Sequence, residues 1–136
     1  RRLERVAMIP VNVRLNGTSD VAWEKYGIHD RFPHVPFYDY SKGSHRIEKY
    51  LAGKLPENYS LTFSRDESNG TKAESLANRG ANVAAVFRNR LPESWQGLPV
   101  LDGDKNDLRF LDPAGHVVGL LAKGTAKKDT SGFILN

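Results

Sequence analysis

The sequence contains no cysteine, which excludes disulfide bridges, thiolate nucleophiles and cysteine-based zinc or iron–sulfur centres within its 136 residues. Nothing in it approaches the run of roughly 18 apolar residues that a membrane span requires, so no membrane partner is expected. Several signatures of known chemistry are missing as well. There is no Gly-x-Ser-x-Gly elbow, no Walker phosphate loop and no Gly-x-Gly-x-x-Gly turn. A standard serine hydrolase, a P-loop enzyme and a dinucleotide site are therefore disfavoured. The histidines, His29, His34, His45 and His116, show no metal-ligand spacing. What is present is ordinary for a globular domain: 39% hydrophobic and 26% charged residues, with a net charge of +4. The isoelectric point near 9.4 suits an anionic ligand without requiring one. The expected location is the cytoplasm.

The chain is organised around the stretch from Val11 to Tyr26. Residues 11–15 alternate apolar and polar side chains, the period of a half-buried strand. Asn16-Gly17 then bends the chain, and Ser19 or Asp20 caps a helix over 21–28. The same strand-turn-helix layout recurs. Strands are expected at 35–40, 59–63 and 82–87, helices at 45–51 and 71–78, and a short strand at 100–101. Residues 1–8 read as helix, ended by Pro10. Residues 108–111 and 116–121 read as two strands joined by the tight turn Asp112-Pro113-Ala114-Gly115. The tail, 123–136, reads as mobile, with Phe133-Ile134-Leu135 docking at its end.

Repeated β-α steps within about 80 residues imply mostly parallel strands joined by right-handed crossovers. The fold class is therefore α/β, a half-barrel or a small open sheet, ending in a β-hairpin. A one-sided antiparallel sheet is the competing architecture. Alternation places Asp39 on one face of its strand and Tyr38 and Tyr40 on the other, which is expected to face the helices. The chain opens on Arg1-Arg2-Leu3-Glu4 without a methionine, which reads as a single domain forming the C-terminal part of a longer protein.

At Arg14-Leu15-Asn16-Gly17-Thr18-Ser19-Asp20 a more specific match begins. With Phe37-Tyr38-Asp39-Tyr40-Ser41-Lys42 and Asp107-Leu108-Arg109-Phe110-Leu111-Asp112-Pro113, this segment resembles an uncharacterised family of bacteriophage and prophage proteins. The resemblance runs from about Val11 to Phe133. It implies a phage or prophage origin, and that longer members carry a cysteine-containing region before this part. No activity follows from it.

The polar strand ends form the main candidate site, because in parallel α/β folds the C-terminal strand edge is where ligands gather. Asp20 and Asp39 are the candidate catalytic carboxylates, suited to general acid/base work beside cations. Arg14, Asn16, Ser19, Lys42, Ser64, Arg65, Glu67 and Arg88 are the candidate substrate-binding residues. Against this stands the plain reading that Ser19 or Asp20 merely caps a helix. Asp102, Asp104 and Asp107 are closely spaced carboxylates of the kind that hold Mg²⁺ or Mn²⁺, although Asp-Gly and Asn-Asp are also routine turn chemistry. Tyr38, Tyr40, Tyr59, Trp23 and Trp95 are candidates for stacking nucleobases, or for the core. The expected function is an enzyme, or part of one, acting on a nucleotide or nucleic acid. The alternative is a non-catalytic module that binds nucleic acid or a partner protein. Association with a second copy, or with a missing N-terminal portion, is expected if sheet edges are left open.

Overall fold

The computed structural model describes residues 11–136, so the helix expected over 1–8 lies outside the described residues. Its centre is one open sheet in the order β1-β2-β3-β6-β5-β4, with a further strand, β7, beside β3. The strands are β1 (Phe37–Ser41), β2 (Tyr59–Ser64), β3 (Val83–Phe87), β4 (Ser94–Trp95), β5 (Leu98–Asp102), β6 (Val117–Leu121) and β7 (Ile134–Leu135). Every pairing is parallel except β4 with β5. The α/β class with mostly parallel strands is as expected, and the open sheet is the form it takes. Among the described residues no helix is long and apolar enough to cross a membrane.

Two crossovers build the first half. Helix α1 (Ile28–Arg31) precedes β1, α2 (Ser44–Leu51) joins β1 to β2, and α3 (Gly70–Asn78) joins β2 to β3. Both longer helices bury a stripe at helical spacing: Ile47, Tyr50 and Leu51 on α2, and Ala73, Leu76 and Ala77 on α3. These stripes pack on Phe37, Tyr59, Leu61, Phe63 and Val83. Paired residues in adjacent strands share a face, and faces alternate along each strand. Asp39, opposite Leu61 in the register, therefore lies on the helix-covered face with Phe37 and Ser41. Tyr38, Tyr40, Thr62 and Ser64 lie on the other. The sequence reading had these two faces of β1 the other way round.

Several elements differ locally from expectation, each for a visible reason. Of residues 11–15 only Val13 pairs, through a parallel bridge to Phe37. Three residues later the amide of Asn16 donates to the Asp39 side chain at 2.8 Å instead of continuing the ladder. The helix expected over 21–28 is split into a 3₁₀ turn, Trp23–Tyr26, and α1, because Gly27 between them is left-handed at φ +70°. Arg109–Leu111 is a 3₁₀ turn rather than a strand. Its expected partner, β6, is already flanked by β3 and β5, which leaves no free edge for a hairpin there. The sheet's tight hairpin is β4–β5, whose turn residues Gln96 and Gly97 both have positive φ, the two-residue geometry that matches strand twist.

The tail is built into the fold. It carries a 3₁₀ turn, Gly124–Lys128, and then β7. β2 pairs only with the start of β3, at Val83 and Ala84. Ile134 and Leu135 of β7 pair with Val86 and Phe87 further along the same strand.

Candidate ligand cleft

The 3₁₀ turn Arg109–Leu111 packs on the open face of β1 and β2, bringing Phe110 within 6.1 Å of the Tyr38 ring centre. The C-terminal half of that face stays uncovered. There the loop after β5 and the segment before β7 rise on two sides of a cavity of about 600 Å³, within the range typical of small-molecule sites. Its floor is Tyr40, Ser64, Ala84, Val86 and Leu120, one or two residues from each of four parallel strands. Phe133 forms an apolar wall, and Arg14, Arg65, Asp104, Asn106 and Asp107 supply the polar rim.

The rim charges differ in how far they are committed. Arg14 lies with its guanidinium 4.9 Å from the centre of the Tyr40 ring and donates from Nε to the Asn16 carbonyl at 3.2 Å. Its Nη1 stands 3.6 Å from Asp107, too long for a hydrogen bond, so donors remain available. Arg65 donates from Nη1 to the carbonyls of Gly132 and Phe133 at 3.0 and 2.8 Å, while its buried Nε has no protein partner among the described residues. Asp107 accepts from the Tyr38 hydroxyl at 3.3 Å. Burial first, and Asp107 second, push the Tyr38 phenol above its ordinary range. Asp104 accepts from the Leu121 amide and from Lys123. That amide, helped by Lys123, holds its carboxyl below the usual range. Burial also raises the Tyr40 phenol.

A smaller cavity of about 350 Å³ adjoins the first and shares Arg14, Tyr40 and Ser64 with it. The Asn16–Asp20 loop and Lys42 surround it. Lys42 is exposed and pairs with Asp66 at 2.9 Å. Hydrogen bonds from Lys42 and then Ser68 pull the Asp66 carboxyl far down.

Asp20 and Asp39 belong to a different structure. Asp39 is fully buried. It accepts from the Asn16 amide at 2.8 Å, from the Asn16 side chain at 3.2 Å and from the Tyr59 hydroxyl at 2.6 Å. Burial raises its pKa, and these donors only partly oppose that. Asp20 accepts from Ser41 Oγ, the Lys42 amide and Arg46 at 2.8, 2.9 and 2.7 Å. Arg46 is itself buried and forks onto Glu24 at 3.0 and 2.9 Å, with a further bond to the Tyr59 hydroxyl. Burial, the largest single influence, would raise Glu24, yet the Arg46 hydrogen bonds, its own backbone amide and the charges of Arg46 and His29 together outweigh it and leave this carboxyl below its ordinary value. The network locks the 16–24 segment onto β1 and α2.

The other expected site residues fall as follows. Ser19 donates to Asn16 Oδ1 at 2.8 Å, and Ser64 lies on the floor of the cleft. Glu67 is exposed beside Gly132. Arg88 clamps the C-terminal segment, donating to the Lys127 carbonyl, to the Asp129 carbonyl at 2.9 Å and to the Asn136 side chain at 2.7 Å. Asp102 accepts from the Asp104 amide at 3.0 Å, a turn bond. With Asp104 and Asp107 engaged elsewhere, these three do not converge. Among the described residues no group of three histidines or carboxylates is placed to hold a metal ion. Sequence reasoning missed Phe133 and Asn106 as lining residues, and Glu24 and Arg46 as the ends of one buried pair. The only available signal was the alternation that puts Tyr40 and Ser64 on one face.

A family model described as Gene product 88 matches residues 1–136. The chain belongs to the Gene product 88 family. That is a phage gene-product family, and membership assigns the cleft no chemistry. No curated protein and no solved structure matches the chain.

Proposed function

We propose that this member of the Gene product 88 family is a binding module for a nucleotide or nucleic acid, held at the C-terminal ends of its parallel strands. The observation that carries the reading is the 600 Å³ cleft itself, a largely apolar floor and wall with Arg14 and Arg65 on its rim. Ala84, Val86, Leu120 and Phe133 offer a base the flat apolar contact it needs. Arg14 and Arg65 match phosphate oxygens in the planar, forked geometry that guanidinium provides. Asp104, Asn106 and Asp107 can accept hydrogen bonds from base amino groups or sugar hydroxyls. Binding is favoured over catalysis because Asp20 and Asp39, the carboxylates best suited by position to acid/base work, already spend their oxygens on structural donors.

The test is calorimetric titration of the full chain with nucleoside monophosphates, beside an Arg14→Ala variant. Saturable binding is expected. Loss of one charge-assisted contact weakens it by about tenfold or more. Absence of saturable binding to any nucleotide, at any salt concentration tried, would sink the reading.

A further inference from the structure

We infer that the ligand of the cleft is a single strand of at least two linked nucleotides, whose next phosphate sits in the smaller cavity against the loop amides of residues 17–19, Lys42 and Arg14. This rests on the nucleotide reading of the larger cavity and sharpens it.

The two cavities adjoin, with Arg14, Tyr40 and Ser64 lining both. Arg14 stands at the junction, stacked on Tyr40, where a guanidinium can meet the phosphate joining two nucleotides. The loop beyond it is exposed yet rigidly braced. Asn16, buried to 2% exposure, accepts on Oδ1 from Ser19 Oγ, the Val21 amide and Trp23 Nε1 at 2.8, 3.0 and 3.0 Å. Its Nδ2 donates to Asp39 and to the Val21 carbonyl. Among the described residues, the amides of Gly17, Thr18 and Ser19 have no acceptor, although the loop that carries them is held in place. Successive backbone amides left free in a turn can receive phosphate oxygens. The loop's own carboxylate, Asp20, is occupied by Ser41, the Lys42 amide and Arg46, which offsets its charge. Lys42 is held only by an exposed pair with Asp66, an interaction weak enough to exchange for a phosphate.

A polyphosphate tail offers the second cavity the same chemistry as a linking phosphate, so the experiment separates them. Fluorescence anisotropy and calorimetry compare thymidine monophosphate, thymidine triphosphate and a short oligothymidylate on the full chain and on a Thr18→Asp variant. Thr18 is exposed and its side chain makes no hydrogen bond among the described residues; melting curves check that the variant keeps the fold. The oligonucleotide is expected to bind about tenfold or more tighter than the monophosphate, the gain of one stacked base and its phosphate. In Thr18→Asp that ratio collapses toward one. Equal affinities for the monophosphate and the oligonucleotide overturn the inference while leaving the nucleotide cleft standing. A triphosphate that gains as much as the oligonucleotide overturns the strand in favour of a phosphate tail. If no ligand binds, the cleft reading falls and this inference falls with it.

Discussion

The two faces of β1 carry the same chemical groups and use them in opposite ways. On the helix-covered face, Asp39, Asp20, Glu24, Arg46 and Tyr59 form a closed set in which each charge has found its partner. On the open face, Arg14 and Asp107 stand 3.6 Å apart on the rim of a cavity, and Arg65 spends Nη1 on two backbone carbonyls rather than on a carboxylate. A guanidinium beside a carboxylate is thus no guide to a binding site. Whether the pair has donors left over is the better guide, and that depends on burial and on which helix lies overhead.

Substitutions break this contrast most sharply where the network is densest. Arg46→Ala leaves Glu24 and Asp20 without their cation and is expected to cost about 3–5 kcal/mol, as breaking one side of a buried pair does. Urea unfolding measures it; a loss like that of a surface substitution would show the network to be incidental. Asp39→Asn keeps the shape but turns an amide NH₂ toward groups that already donate. A loss of about 1–3 kcal/mol is expected in the same assay.

A smaller effect is expected from His29, which is buried against the rings of Phe37 and Tyr59 at 4.6 and 4.2 Å. Neither ring nitrogen has a partner among the described residues. Burial lowers its pKa below the usual 6.5, against the pull of Glu24, Asp39 and Asp30, with Arg46 acting in the same sense as burial. The folded state therefore binds this proton less readily than the unfolded chain. The stabilising contribution is complete above about pH 6.5 and shrinks as the pH falls below it. Asp39, whose pKa is raised, titrates with the opposite sign, so the comparison must be made against a variant. His29→Phe keeps the stacked ring and should flatten the loss of melting temperature between about pH 7 and pH 5. An unchanged slope would remove His29 as its source.

The open face should respond in the reverse order. Arg14→Ala is expected to shift stability by no more than about 1 kcal/mol, since its ion pair is long and part-exposed, while costing ligand affinity. Lys42→Ala should move the melting temperature least of all, because its pair with Asp66 is solvated and screened. If Arg14 proved as costly to stability as Arg46, the two faces would not differ in kind.

Much of the β-α order was legible because strands and helices of five residues or more carry a period. The helix at 44–51 and the strands at 59–64 and 83–87 follow directly from it. Alternation also separated Asp39 from Tyr38 and Tyr40, but it is silent on which face the helices cover. That is decided by the crossovers and by Ile47, Leu76 and their neighbours. Residues 11–15 carry a strand period, yet only Val13 pairs because Asn16 turns to Asp39; the two residues of β7 are too few to show one. At Arg109–Leu111 local alternation favoured a strand, and the sheet overrode it because both neighbours of β6 were taken. The cleft is legible in the sequence only as an edge: Arg14, Lys42, Ser64 and Arg65 lie at or near strand ends, whereas Phe133 lies far from them in sequence.

That last contact sets the order in which the molecule becomes competent. Val86 and Ile134 are distant in sequence yet adjacent in the sheet, and pairings of such separation form slowly because a long loop must close first. Arg65 grips the Gly132 and Phe133 carbonyls across the same join. The helical layer and its charge network draw on no residue of the segment before β7, whereas the cleft takes its aromatic wall from it. The aromatic side of the cleft is thus completed only once β7 has paired with β3.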